Sequence, residues 1–329
     1  PYTEISAPQW VGDKLVFIGA SPRQAASLVV FDPISGNTDV LRNAMSVDLD
    51  LNNFSVPESV CFDTAGGGVA HGFYYPPHSA SHAPAAGEIP PLIVRGHGGP
   101  TGVTVSTLSL AIQYWTSRGF AVLDVNYRGS TGFGRGYREA LYGGWGKTDV
   151  EDMAHGAEYL VAAGKADPSR LAIRGGSAGG YTALAALVFC NTFSAGASLY
   201  GIGNLMTLAR DTHKFESRYL DLLIGPLPET EQLYRDRSPI AHVDKFNCPV
   251  IFLQGSEDRV VPPNQAEAMV DALEERGIPV AYVLFENEGH GFRKAENVCR
   301  ALECELAFYG RVFGFEPADE LQYLNIRNL

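Results

Sequence analysis

The 329-residue chain is poor in cysteine, has no long apolar run and carries too little positive charge to balance its acids. Its five cysteines, Cys61, Cys190, Cys248, Cys299 and Cys304, are odd in number and scattered, with no C-x-x-C pair. That argues against a disulfide framework and against zinc or redox work, and it fits a reducing compartment, so a cytoplasmic setting is expected. No apolar stretch reaches the about 18 residues that a membrane helix needs. Lysine and arginine total 25 against 37 aspartates and glutamates, a formal charge of −12. Such a balance argues against nucleic acid and anionic membrane surfaces as partners. His71, His78, His82, His155, His213 and His242 show no paired ligand spacing, so neither a metal nor another cofactor is expected.

What the chain does have is glycine, 36 residues of it, and an apolar fraction of 45%. The most informative glycines lie in residues 171–181, Leu-Ala-Ile-Arg-Gly-Gly-Ser-Ala-Gly-Gly-Tyr. A short apolar run there meets Gly175-Gly176-Ser177-Ala178-Gly179 and then a small-residue helix. A serine at such a strand-to-helix turn sits on strained backbone, and the glycines keep neighbouring side chains away from its Oγ. The helix start behind it offers N–H groups to a developing oxyanion. G-x-S-x-G by itself is weak in a glycine-rich chain, and its context decides.

Residues 249–255 read as a fully buried strand, followed by Ser256-Glu257-Asp258-Arg259-Val260-Val261-Pro262. Asp258 is the candidate acid and Glu257 its adjacent rival. Residues 280–286 form the next apolar strand and run into Asn287-Glu288-Gly289-His290-Gly291-Phe292, which makes His290 the candidate base. The chain order serine, acid, histidine is that of an α/β-hydrolase. The chemistry needs these types because a serine hydroxyl is a poor nucleophile until a neutral imidazole takes its proton, and a carboxylate must fix that imidazole's tautomer. Upstream, residues 91–95 end in Gly96-His97-Gly98-Gly99-Pro100, a glycine loop able to aim an N–H at the oxyanion beside that of Ala178. His97 is read as shaping this loop. The bland alternatives are a tight-turn serine, a capping aspartate and a loop histidine, and all three would have to hold at once.

Together these segments resemble the catalytic domain of the prolyl oligopeptidase family of serine peptidases, on its acylaminoacyl-peptidase and dipeptidyl-aminopeptidase side. The residues that carry the resemblance are His97-Gly98-Gly99-Pro100, the run from Asn126 to Gly134, Trp145-Gly146 with Asp149 and Asp152, and Gly175 to Gly180. They continue through Thr212 to Tyr219, Glu257 to Pro262, and Glu288-Gly289-His290-Gly291. The resemblance implies Ser177, Asp258 and His290 as triad, and the backbone N–H groups of Gly99 and Ala178 as oxyanion donors. Two departures bear on specificity. The prolyl-endopeptidase branch has an oxyanion tyrosine, which the His97-Gly98-Gly99 loop lacks. Relatives also often hold the substrate carbonyl with an arginine two positions past the acid, where this chain has Val260; Arg259 is the candidate substitute. Tyr200 and Phe292 are further candidate substrate contacts, with Trp145 and residues 215–223 as apolar candidates near the triad.

The expected architecture is a mostly parallel sheet covered on both faces, with Ile93, Val122, Ala172, Leu199, Phe252 and Val283 in its strands. Residues 46–329 are assigned to this catalytic domain. Residues 14–20, 27–32 and 39–42 instead read as short strands of a meander, so residues 1–45 are assigned as a partial last blade of a β-propeller, with a small appended β-meander as the alternative. One blade cannot fold alone, and the chain opens at Pro1 inside this pattern. The expectation is a missing N-terminal propeller segment, which in the resembling family caps the active site. Residues 78–90 read as a surface insertion. The expected partners are a short peptide substrate and that propeller segment, with homo-oligomerisation left open. Serine peptidase is the leading activity, small-molecule esterase or amidase the alternative, and a non-catalytic binding role the third.

Overall fold

The computed structural model describes residues 2–45, 50–85, 87–211 and 218–329. Among the described residues twelve strands form two separate sheets. The first is an antiparallel meander of β1 (Glu4–Val11), β2 (Lys14–Ser21), β3 (Gln24–Phe31) and β4 (Thr38–Asn43), in that spatial order. β1 was not legible as a strand because Pro8 interrupts its pattern. Proline lacks the ladder donor and is confined to edges and bulges. β1 is an edge strand, and its register shifts between Ser6 and Gln9 around Ala7, whose φ is +49°.

The second sheet has eight strands in the order β12-β11-β10-β9-β7-β8-β6-β5. These are β5 (Glu58–Thr64), β6 (Gly68–Tyr75), β7 (Leu92–Gly96), β8 (Ala121–Asn126), β9 (Leu171–Gly176), β10 (Ala195–Leu199), β11 (Val250–Gly255) and β12 (Val280–Phe285). The six from β12 to β8 are parallel, while β6 and β5 are added antiparallel at one edge. Strands buried on both faces read as continuous apolar runs, and β11 is buried at every position. The pleat sends alternate residues to opposite layers. Leu92, Val94, Leu123 and Val125 pack in one cluster with the helices Thr148–Ala162 and Ala178–Phe189. Ile93 and Val122, one residue out of step with these, pack in the other with the helix Ala295–Phe313. Parallel alignment brings the ends of β7, β9, β11 and β12 to one edge, where loops carry function in this architecture. Among the described residues no helix is long and apolar enough to cross a membrane.

Two buried acids hold the layers beneath that edge. Asp152 accepts from Arg128 Nη2 at 2.8 Å, from the Arg128 backbone at 2.7 Å and from Thr64 Oγ1 at 2.6 Å. Asp149, fully buried, accepts from Gly146 N at 2.7 Å and Thr182 Oγ1 at 2.6 Å, tying the Trp145 turn to the helix that begins at Ala178. Burial pushes the Asp149 carboxyl up to about 6, against the pull of those two hydrogen bonds. A carboxyl raised in the folded state binds its proton more tightly there than when unfolded, so its contribution to stability falls as pH rises from about 4 to about 6. At the usual ~1.4 kcal/mol per unit, the loss amounts to about 3 kcal/mol. Asp149→Asn carries no charge to bury, and its amide oxygen can still accept from Gly146. Denaturant unfolding of both proteins at pH 4 and pH 7 should therefore show the variant gaining about 3 kcal/mol relative to wild type across that interval. A pH-independent difference would contradict this account of Asp149.

Candidate active site

Ser177 follows β9 and starts the helix Ala178–Phe189 with φ 56° and ψ −122°, a conformation that costs a side-chain-bearing residue about 1–3 kcal/mol. The surroundings enforce it. The Ser177 N–H donates to Leu199 O at 3.0 Å, and a Cβ added to Gly175 would sit 2.3 Å from the Gly179 backbone. Only glycine lets the helix start so close to the strand, and the turn that results lifts the serine Oγ off the sheet.

Asp258 lies just past β11 and is 4% exposed. Its Oδ1 accepts from the N–H groups of Val260 and Val261, both at 2.9 Å, which fixes the carboxylate plane. Oδ2 is left for His290 Nδ1 at 2.8 Å. Gln254, in β11, adds a longer contact to the same oxygen at 3.4 Å. His290 Nε2 is 2.8 Å from Ser177 Oγ, so carboxylate, imidazole and hydroxyl form one continuous hydrogen-bonded line. Glu257 is exposed and only its backbone engages this region, donating to Glu288 O at 2.8 Å.

The loop carrying His290 is braced by Glu288. Its carboxylate accepts from Arg293 N at 3.0 Å, Lys294 N at 2.9 Å and Asn297 Nδ2 at 2.9 Å, closing the chain around the histidine just ahead of the helix Ala295–Phe313. Desolvation raises its pKa, but these hydrogen bonds outweigh that and hold the carboxyl below the usual range. The same helix is pinned to the nucleophile strand by a buried bidentate pair, Arg174 Nε and Nη2 with Glu305 at 2.9 and 2.7 Å. Glu288 was visible in the sequence only as part of a motif, without a role.

The loop after β7 lies opposite. Gly99 has φ +126°, and a Cβ there would come 2.6 Å from Gly102 N. The N–H groups of Gly99 and Ala178 make no backbone hydrogen bond among the described residues, and both residues line the cavity in front of Ser177. His97 stacks on Tyr127 with ring centres 4.3 Å apart, and its ring nitrogens reach Gly98 O at 2.9 Å and Ser130 Oγ at 2.7 Å. Burial pushes the His97 pKa down, favouring the neutral ring. With one ring proton, Nδ1–H can donate to Gly98 O, and the one Ser130 hydroxyl proton is then shared between Nε2 and Tyr127 O, each 2.7 Å away, which stiffens the loop.

The cavity has a volume of about 320 Å³. Among the described residues its walls are mostly apolar: Trp145, Ile202, Leu208, Leu220, Leu223 and Val260 meet there, with Tyr219 polar beside Ser177 and His290. Val260 thus occupies wall rather than offering a cation. Arg259 is exposed and Tyr200 and Phe292 do not line the cavity. Tyr200 instead sits edge-on to His290 at 5.0 Å and to Phe292 at 5.5 Å, a packing that holds the imidazole from behind. Residues 212–217, which include Phe215, lie outside the described residues. Ile202 and Leu208 were not picked out from sequence, since an apolar wall residue and an apolar core residue look alike there.

A mostly parallel sheet with serine on the elbow, acid after a later strand and histidine after the next defines an α/β-hydrolase. A family model described as the prolyl oligopeptidase family matches residues 106–316, and the chain belongs to that family. Dipeptidyl peptidase family member 6 of Caenorhabditis elegans is 37% identical over 213 residues, which make up 63% of this chain and 29% of that protein. The acylamino-acid-releasing enzyme of Arabidopsis thaliana is 32% identical over 227 residues, 64% of this chain and 29% of that one. Among solved structures, a puromycin-hydrolyzing peptidase of Mycobacterium tuberculosis is similar with a TM-score of 0.96 and 46% identity, covering 99% of this chain and 50% of its own. The chain therefore spans half of that structure and under a third of those two curated relatives.

Proposed function

We propose that this chain is the catalytic part of a serine peptidase that hydrolyses short peptides through an acyl-enzyme. Ser177 is the nucleophile, His290 the general base and then acid, and Asp258 the carboxylate that orients His290. The Gly99 and Ala178 N–H groups receive the oxyanion. The observation that carries this reading is the unbroken line from Asp258 Oδ2 through His290 to Ser177 Oγ, with both links at 2.8 Å, at the mouth of an apolar cavity. In that arrangement Nδ1–H donates to Asp258 and Nε2 is free to take the Ser177 proton as Oγ attacks the scissile carbonyl. The imidazolium formed then protonates the leaving amine, and water repeats the sequence on the ester.

A cavity of about 320 Å³ accommodates a leucine- or phenylalanine-sized side chain, and none of the described residues that line it is a carboxylate, lysine or arginine able to neutralise a charged one. The relatives named for dipeptides, acylamino acids and puromycin support an aminoacyl or acyl-aminoacyl substrate. Residues 1–45 are proposed as a propeller blade and residues 46–329 as the peptidase unit. Four antiparallel strands are one blade's complement, and Ile5, Trp10, Val11, Val40 and Leu41 stay exposed on them, apolar surface that neighbouring blades would cover. The five free thiols favour a cytoplasmic setting.

A substrate panel tests the proposal: leucyl and acetyl-leucyl anilides, short peptides, puromycin and simple alkyl esters, each with kcat/KM. Peptide and aminoacyl amides should be hydrolysed with a readily measured kcat/KM, below that of esters with the same acyl group because the amine must be protonated to leave. Hydrolysis of esters alone would make the chain an esterase and remove the peptidase reading.

A further inference from the structure

The cavity wall and the oxyanion loop share one side chain. Tyr219 lines the cavity in front of Ser177, and its hydroxyl lies 2.5 Å from Thr101 Oγ1 while accepting from Thr101 N–H at 3.2 Å. Thr101 is two residues beyond Gly99 in a loop so tight that a Cβ on Gly99 would sit 2.8 Å from Thr101 N. Displacing the Thr101 backbone therefore displaces Gly99. At its other end, Tyr219 opens the short helix Tyr219–Leu223, which is bound to the Trp145 turn by Gly143 N to Leu222 O at 2.9 Å and Trp145 N to Leu223 O at 3.3 Å. Arg237 clamps that turn from below, donating to Trp145 O and Gly143 O, both at 2.8 Å. The walls made by Trp145, Leu220 and Leu223 are thus one hydrogen-bonded body, and the Tyr219 hydroxyl links it to the oxyanion loop.

We infer that Tyr219 is a positioning residue that couples filling of the apolar cavity to the placement of the Gly99 N–H, so that the substrate's side chain is read in kcat and not only in KM. A side chain packed on the Tyr219 ring restrains its hydroxyl, hence Thr101, hence Gly99. A small side chain leaves that path loose, and the donor is worse placed when negative charge develops on the substrate oxygen. Interactions realised more fully in the transition state than in the bound substrate raise kcat, and oxyanion donors act on distances of tenths of an ångström. The inference rests on the proposed roles of Ser177 and Gly99.

The test compares alanyl, leucyl and phenylalanyl p-nitroanilides, with kcat and KM separated, in wild type, Tyr219→Phe, Thr101→Val, the double variant and Thr101→Ser. Tyr219→Phe keeps the ring and the cavity and removes only the hydroxyl. For the leucyl substrate kcat should fall about tenfold, the scale expected for one or two lost hydrogen bonds, with KM within about twofold. The leucyl-to-alanyl ratio of kcat should shrink toward one. Thr101→Val should behave alike, the double variant should lose no more than either single one, and Thr101→Ser should restore the ratio. An unchanged kcat ratio in Tyr219→Phe and Thr101→Val, or a loss confined to KM, overturns the inference. Fluorophosphonate labelling separates this from a failure of the underlying reading: Ser177 labelled normally in variants with an unchanged ratio overturns the coupling alone, whereas no label on wild-type Ser177 overturns both.

Discussion

Ser177→Ala is expected to lower kcat by about 10⁶-fold on any amide substrate, because deleting the nucleophile of a serine-histidine pair costs about as much as deleting the whole triad. The protein should stay folded. Among the described residues the hydroxyl engages only His290 Nε2, while the strained backbone at Ser177 is held by its N–H to Leu199 and by the packing at Gly175, neither of which uses Oγ. Residual hydrolysis about 10³-fold above water should persist, since the Gly99 and Ala178 donors and the apolar cavity remain. Thermal unfolding and single-turnover assays of the same preparation separate the two effects. A melting temperature near wild type with activity gone is the expected pair, and activity retained would remove Ser177 from the mechanism.

Asp258→Asn should cost about 10⁴-fold in kcat, and Glu257→Gln close to nothing. The asymmetry follows from the turn after β11. Asparagine can keep its Oδ1 on the Val260 and Val261 N–H groups, as Asp258 does, but then it presents an NH₂ to His290 Nδ1. The imidazole would turn its lone pair to that amide and carry its proton on Nε2, facing Ser177, where it cannot act as a base. Glu257 is exposed and enters the region only through its backbone N–H, which the glutamine keeps. Steady-state kcat/KM for the two variants side by side decides the matter. A crippled Glu257→Gln with an active Asp258→Asn would move the acid by one position.

These two neighbours also mark where sequence reading stops. The strand before them was legible because a doubly covered parallel strand is an unbroken apolar run, and residues 250–253 are one. The elbow was legible because Gly175 and Gly179 approach each other too closely for any side chain. The choice between Glu257 and Asp258 depends on which carboxylate meets the N–H groups two and three residues on, a matter of turn geometry that residue type leaves open. The cavity walls were only partly legible: Trp145, Tyr219, Leu220 and Leu223 fell within the apolar candidates, while Ile202, Leu208 and Val260 carry no signal that separates a wall from a core. β1 was missed because its proline masks the alternation, although an edge strand tolerates it. Asp149 and Asp152 could be named from the family pattern, but apart from the nearby Gly146 the donors that hold them, Thr182 for one and Arg128 and Thr64 for the other, are far away in sequence.

The most direct measurement is peptide mapping by mass spectrometry after brief treatment with a fluorophosphonate, since only an activated serine beside an oxyanion site reacts quickly with such a reagent. The account predicts one adduct per chain, located on Ser177, absent from Ser177→Ala and much slower to form in Asp258→Asn. An adduct on another serine, or undiminished labelling of Ser177→Ala, would contradict the claim that this chain is a serine peptidase working through Ser177.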